Sequence, residues 1–192
     1  GCVAQQVGKR IFARAPYVDL VLGTQRLYEL PNLVKRIEAG ERIVSTDEEQ
    51  YEESDIQINR VKSVNAWVPI MEGCNNFCSY CIVPYTRGKQ RSRKSSEILK
   101  EVQELKEKGY KEVTLLGQNV NAYGKDLDIS YKMGDLLKDV AETGVERVRF
   151  VTSHPWDFDD DMIDIIAKYD NIMPYIHLPL QSGSNRILKL DC

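Results

Sequence analysis

Cysteine and histidine are scarce in this 192-residue chain, with five of the first and two of the second, and each scarcity narrows the reading. Five thiols are sparse and odd in number for a disulfide framework of this length, and no secretory segment precedes them in the sequence, so reduced cysteines are expected. A zinc site would have to recruit His154 or His177 from far along the chain as its fourth ligand. No apolar run approaches transmembrane length, which predicts no membrane partner, and the reduced thiols fit a cytoplasmic location. Positive charge is not in excess either: 26 Lys and Arg face 29 Asp and Glu, for a net charge of −3. That balance excludes a broadly basic nucleic-acid coat, so any RNA contact is local or carried outside this chain. What is present, 42% hydrophobic and 29% charged residues, is ordinary for a globular chain able to bury a core.

Three of the five cysteines stand together. Cys74, Cys78 and Cys81 lie in the run Glu72-Gly73-Cys74-Asn75-Asn76-Phe77-Cys78-Ser79-Tyr80-Cys81-Ile82-Val83-Pro84, a Cys-x3-Cys-x2-Cys spacing. Structural zinc sites are closed by four ligands, and ordinary iron-sulfur carriers also use four cysteines. Three thiolates on one short loop therefore predict a centre with an open position, able to bind something exchangeable.

The loop resembles the cluster motif of radical S-adenosylmethionine (SAM) enzymes, in which an aromatic residue, here Tyr80, precedes the third cysteine. The wider run Met71 to Gly88, followed by Arg91-Ser92-Arg93, is similar to the methylthiotransferase branch of that superfamily. Leu115-Leu116-Gly117-Gln118-Asn119-Val120-Asn121-Ala122-Tyr123-Gly124 resembles its tRNA-modifying MiaB family rather than the ribosomal-protein relatives. Thr152-Ser153-His154-Pro155 and His177-Leu178-Pro179-Leu180-Gln181-Ser182-Gly183-Ser184 extend the resemblance over most of the chain.

Hydrophobic periodicity supplies the organisation independently. A helix is expected over Ala4 to Ala15, a buried strand over Tyr17 to Leu22, and a helix over Leu27 to Ala39 that Gly40 stops. Residues 41–62, crowded with Asp47, Glu48, Glu49, Glu52, Glu53 and Asp55, read as an acidic linker. Beyond it the pattern alternates strand and helix: strands over Ala66 to Met71, Val113 to Leu116, Arg147 to Val151 and Tyr175 to Leu178, and helices near Ser95 to Lys108, Lys132 to Glu142 and Asp160 to Lys168. Ser95 or Ser96 is the expected cap of the first of these helices. Alternation of this kind predicts an α/β fold with parallel βαβ units, here an incomplete (β/α) barrel. The cysteine loop, Gly117-Gln118-Asn119, Ser153-His154 and Gln181-Ser182-Gly183 then all follow strand carboxyl ends, where ligands of such folds bind.

The resemblance implies a role for each candidate residue. Cys74, Cys78 and Cys81 hold three irons of a 4Fe-4S cluster whose remaining iron takes the amino and carboxylate groups of SAM. Tyr80 lies against the adenine or simply packs in the core. Gly117 allows close approach to SAM or relieves crowding at a turn; the wider superfamily often has Gly-Gly-Glu where this chain has Gly117-Gln118-Asn119. Gln118, Ser153 and Gln181 are cofactor-binding candidates, and Arg87, Asn119 and His154 are substrate candidates. The basic run Arg87, Lys89, Arg91, Arg93 and Lys94 pairs with RNA phosphate or the SAM carboxylate, or is a solvated loop.

It also implies an organisation and a reaction. Residues 1–40 correspond to the later part of an amino-terminal methylthiotransferase domain, with Cys2 as the third ligand of an auxiliary 4Fe-4S cluster whose other two cysteines lie upstream. Residues 63–192 correspond to a truncated radical SAM core; the remaining barrel strands and an RNA-binding TRAM domain lie outside this chain, and Cys192 has no assignable role. A reducing electron donor and tRNA are the implied partners. One SAM methylates sulfur on the auxiliary cluster, and another yields the 5′-deoxyadenosyl radical that opens carbon 2 of N6-isopentenyladenosine, 3′ of the anticodon, for methylthio attachment. The same enzyme type acting on threonylcarbamoyl-adenosine tRNA or on a ribosomal-protein aspartate stays open, as does a non-catalytic metal-binding module.

Overall fold

The computed structural model describes residues 1–47, 60–61, 63–128 and 130–191. Most of the expected acidic linker, and Cys192, lie outside the described residues. The chain divides into two compact units, Gly1–Arg60 with Cys81–Gly88, and Val61–Tyr80 with Lys89–Cys192.

In the first unit the amino-terminal helix is broken. Gly8, at φ 55°, ends α1 (Cys2–Val7), and a 3-10 turn leads into α2 (Ile11–Arg14). A positive φ suits glycine because it lacks Cβ, so the periodicity expected from Ala4 to Ala15 is satisfied by two short pieces. The next strand, β1 (Leu20–Leu22), is shorter than expected and pairs in parallel with β2 (Ile43–Ser45). Residues 43–45 thus extend a sheet at the place where the sequence pattern begins its linker. Between them α3 (Leu30–Glu38) follows a 3-10 turn at Leu27–Glu29 and lays Leu33 into a small core with Val21 and Ile43. Buried Arg26 is satisfied by the Tyr28 hydroxyl at 2.9 Å, Glu29 at 2.9 Å and the Asp47 carbonyl at 3.1 Å. Helix α4 (Val83–Arg87) packs on α1, and the Thr24 hydroxyl donates to the Thr86 carbonyl at 2.5 Å.

The second unit is built on three parallel strands, β3 (Asn65–Pro69), β6 (Glu112–Leu116) and β7 (Arg147–Phe150), in the order β3-β6-β7. All are short and apolar where they face the core: Ala66 and Val68, Val113 and Leu115, Val148 and Phe150 are buried. Helix α5 (Ser95–Glu107) lies between β3 and β6 in sequence and buries Ile98, Val102 and Leu105, one apolar stripe at helical spacing. Neither Ser95 nor Ser96 caps it. Lys94 occupies the cap position without a side-chain hydrogen bond, and Glu97 supplies the negative charge that favours a first turn. Helix α6 (Met133–Glu142) buries Leu136, Leu137 and Val140, and α7 (Asp160–Lys168) adds Met162, its first turn capped by Asp159 accepting from the Met162 amide at 3.1 Å. Full burial of each such side chain contributes about 1.5–3 kcal/mol, which is why this unit closes around one core.

The fourth strand expected over Tyr175 to Leu178 does not form. Pairing beyond β7 is reduced to a parallel bridge between Val148 and Ile172. Tyr175, Ile176 and Leu178 stay exposed, so extending the ladder there buries none of the apolar surface that rewards strand formation. Two further two-residue strands, β4 (Met71–Glu72) and β5 (Arg91–Ser92), pair antiparallel beside the sheet. A final helix, α8 (Asn185–Asp191), follows.

Candidate active site

The carboxyl ends of β3, β6 and β7 point their loops to one side of the sheet, and hydrogen bonds tie the loops together. Beyond β3, Ile70 continues the ladder by donating to the Leu116 carbonyl at 2.8 Å, and the chain enters the cysteine loop. Gly73 donates its amide to the Gln118 side-chain oxygen at 2.7 Å, joining that loop to the one after β6. The Thr152 hydroxyl donates to the Gly117 carbonyl at 2.6 Å, and Val120 donates to the Thr152 carbonyl at 3.1 Å, joining the loops after β6 and β7. Ser153 in turn donates to the His177 carbonyl at 3.1 Å.

Backbone strain gathers in the same place. The non-glycine residues at positive φ among the described residues are Phe77 at 48°, Thr152 at 67° and Gln181 at 65°. A β-branched threonine in this region is unfavourable by the contact of Cβ with its own backbone, and Thr152 is held there by the hydrogen bonds just given.

The cysteines divide between the units. Cys74 and Cys78 belong to the second, Cys81 and Cys2 to the first; each is partly exposed and none is in a disulfide. Among the described residues no three His, Cys, Asp or Glu side chains are gathered into a metal cage, so the ligand set is legible in the donors rather than in a preformed geometry. The donors fit a soft metal cluster: thiols on one loop at the end of a parallel strand. Cys2 has a distinct electrostatic setting. Burial pushes its thiol up, but the Thr86 side chain and the Arg87 guanidinium hold it below its ordinary value.

Three buried side-chain atoms among the described residues lack a hydrogen-bond partner: Asn76 Nδ2, Asn119 Oδ1 and Ser153 Oγ. All three sit on the loops beyond β3, β6 and β7. Buried polar atoms are normally satisfied, and each orphan costs about 1–3 kcal/mol; Asn76 lies beside Asp157 and helps hold its carboxyl down, so Asn119 Oδ1 and Ser153 Oγ are the two atoms most available to a polar ligand. Asn119 is otherwise fixed, its Nδ2 donating to Asp157 Oδ2 at 2.5 Å, and Lys125 forms an ion pair with the other Asp157 oxygen. Burial pushes the Asp157 carboxyl up, but Lys125 and Asn119 overcome it and hold the group below the usual carboxylate range.

Other candidates take specific places. A Cβ on Gly117 would stand 2.6 Å from Met71 Cγ, so the glycine is required by packing against β4. Tyr80 is exposed rather than packed in the core, its hydroxyl donating to Gln181 Oε1 at 2.6 Å. Of the basic run, Arg91 pairs with Glu72 at 3.2 Å and Arg93 with Glu101 at 2.8 Å, so these two serve the fold. Arg87 lies beside Cys2 in the first unit. Sequence reasoning missed Asp157, Lys125 and Asn121. A lone acid, a lone lysine and an asparagine beyond strand ends carry no periodic or spacing signal; only their hydrogen bonds distinguish them.

Known proteins resemble the chain at two levels. It is 49% identical over 197 aligned positions to the tRNA-2-methylthio-N(6)-dimethylallyladenosine synthases of Staphylococcus epidermidis and of Staphylococcus aureus strain Newman, an alignment covering 99% of this chain and 38% of each of theirs. The chain therefore spans well under half the length of these curated relatives. In three dimensions it matches the radical S-adenosylmethionine methyltransferase TsrM from Kitasatospora setae with a TM-score of 0.52 at 16% identity, over 65% of this chain and 23% of that one, a likeness of fold alone. The model of the Radical SAM superfamily matches residues 68–191, which takes in β4 to β7, the cysteine loop from Cys74 to Cys81 and the three orphaned polar atoms. With the fold, the loop and this match in agreement, the chain belongs to the radical SAM superfamily.

Proposed function

We propose that this chain forms the central part of a tRNA methylthiotransferase that adds a methylthio group to carbon 2 of N6-isopentenyladenosine 3′ of the anticodon. The observation that carries the reading is the 49% identity, over nearly the whole chain, to synthases named for that hypermodified nucleoside. On this reading Cys74, Cys78 and Cys81 hold a 4Fe-4S cluster, and Cys2 is one ligand of an auxiliary cluster in an amino-terminal domain represented by residues 1–40. When bound, the cluster supplies the electron for reductive cleavage of SAM.

The chain's own residues do the binding and shielding. The orphaned Ser153 Oγ and Asn119 Oδ1 offer a hydroxyl and a carbonyl to a polar ligand such as ribose or the SAM amino group. Gln118 is engaged by Gly73 and serves to hold the cysteine loop, while Tyr80 and Gln181 brace one another. The substrate adenosine has to be unstacked to expose a ring carbon, which suits an anticodon-loop base. With a net charge of −3 the chain gives tRNA only local contacts. A low-potential electron donor completes the partners, and the cytoplasm, where tRNA is modified, is the compartment.

The test is nucleoside mass spectrometry of tRNA from cells that lack their own methylthiotransferase and express the full-length protein that contains this chain; this chain by itself is expected to give at most weak, uncoupled cleavage of SAM and no methylthio product. Appearance of 2-methylthio-N6-isopentenyladenosine supports the reading. A methylthio group on threonylcarbamoyl-adenosine, or on a ribosomal-protein aspartate, would reassign the substrate. Stoichiometric zinc with no iron after anaerobic reconstitution would leave a non-catalytic metal module.

A further inference from the structure

His154 is held more firmly than a loop residue needs to be. The buried Asn121 side chain brackets its backbone: Asn121 Oδ1 accepts from the His154 amide at 3.2 Å, and Asn121 Nδ2 donates to the His154 carbonyl at 3.4 Å. The ring packs edge-on against Trp156, with centroids 4.9 Å apart and planes at 68°. Its Nδ1 accepts the Trp156 backbone amide at 3.3 Å. An imidazole nitrogen that accepts an N–H carries no hydrogen of its own, so in the neutral ring the hydrogen resides on Nε2. That Nε2 stands 3.8 Å from Cys78 Sγ. Backbone, ring plane and tautomer are thus all set so that one N–H faces one sulfur, 76 residues away in sequence.

We infer that His154 donates a hydrogen bond to the Cys78 thiolate and thereby raises the reduction potential of the cluster that this loop holds; the inference rests on the reading of Cys74, Cys78 and Cys81 as cluster ligands. An N–H aimed at a ligating sulfur stabilises the more negative, reduced cluster more than the oxidised one, so it eases reduction. His154 is then a positioning and tuning residue rather than a partner of the nucleic acid, and the Asn121 and Trp156 contacts are what make its donor direction fixed. The motif Thr152-Ser153-His154-Pro155 acquires a division of labour: Thr152 ties the loops, Ser153 offers its hydroxyl to a ligand, and His154 faces the sulfur.

The experiment is a redox titration, followed by electron paramagnetic resonance, of the anaerobically reconstituted protein and its His154→Phe and His154→Gln variants, each normalised to iron content. The phenyl ring keeps the packing on Trp156 and lacks the donor, whereas the Gln amide restores an N–H. The expected result is a reduction equilibrium about tenfold less favourable in His154→Phe, a midpoint about 59 mV lower for one electron, and a midpoint near the parent value in His154→Gln. An iron-loaded His154→Phe protein with an unchanged midpoint overturns the hydrogen bond while leaving the cluster reading intact. Failure of the parent protein to take up iron removes both. Should only His154→Phe fail to load, the ring nitrogen coupling in the reduced parent protein labelled with 15N-histidine decides, with a His177→Asn control: a coupling supports the bond, and its absence overturns it.

Discussion

Asn119 points one end of its amide at Asp157, 2.5 Å away, and leaves the other end buried with no partner. A side chain so oriented is fixed by the protein on one side and made available on the other. The same division runs through the loops beyond β3, β6 and β7, and it generates distinct expectations.

Ser153→Ala removes a buried hydroxyl that has no partner within the protein. Deleting an unsatisfied buried polar group relieves its desolvation cost, so the ligand-free variant should be as stable as the parent or more stable by about 1 kcal/mol. SAM binding should weaken in the same variant. Thermal melts of the free protein and calorimetric titration with SAM after reconstitution measure the two effects; lower stability with unaltered SAM affinity would contradict the assigned role.

Gly117→Ala should destabilise by about 1–3 kcal/mol, because its Cβ would meet the buried Met71 side chain at 2.6 Å. Denaturant midpoints report the loss. A double-mutant cycle with Met71→Ala should show coupling between the two sites, since the smaller side chain vacates the space that the new methyl needs.

Asp157→Asn tests the ion pair with Lys125 and the Asn119 contact. The folded-state carboxyl is held below the usual value, burial notwithstanding, so its contribution is fully present above the ordinary carboxylate range and is lost as pH falls through the folded value. At neutral pH the asparagine variant should be less stable by about 1 kcal/mol, and the difference should shrink as the pH falls below the ordinary carboxylate value and vanish only below the folded one. Denaturant titrations at neutral and acid pH, parent against variant, give the comparison; a constant difference would mean that the carboxylate charge is irrelevant.

Alanine at Cys74, Cys78 or Cys81 should abolish uptake of the cluster by this loop, read as iron content and visible absorbance after anaerobic reconstitution. In the full-length protein, Cys2→Ala should behave differently, retaining cleavage of SAM to 5′-deoxyadenosine while losing the methylthio nucleoside. Normal methylthio product from Cys2→Ala would remove Cys2 from the auxiliary cluster. Its place beside Arg87 and Thr86 would then need another explanation.

Much of the second unit was legible residue by residue. Helix α7 runs from Asp160 to Lys168 as the sequence pattern indicated, and β6 and β7 fall within one residue of the expected bounds. These elements are decided by local patterns, an apolar stripe or an apolar run between turns, which the sequence carries in full. Tyr175 to Leu178 has the same apolar character but lacks the neighbours that would bury it, so a pattern adequate elsewhere fails there. Ile43–Ser45 errs the other way, pairing with β1 despite standing at the edge of an acidic stretch.

The sequence by itself determined the donors: three thiols at Cys74, Cys78 and Cys81 in a spacing that fits an open cluster, and the loops expected to surround them, because chemistry that depends on residue type and short spacing survives without a fold. Only the tertiary structure decided which of the polar groups are spent on the protein and which are left over. Gln118 is engaged by Gly73, Arg91 by Glu72 and Arg93 by Glu101, while Asn119 Oδ1 and Ser153 Oγ are left without a partner and the Nε2 of His154 stands 3.8 Å from Cys78 Sγ. Such partnerships join residues tens of positions apart, and no local pattern encodes them. Their satisfaction depends on where the packing of β3, β6 and β7 brings the loop ends.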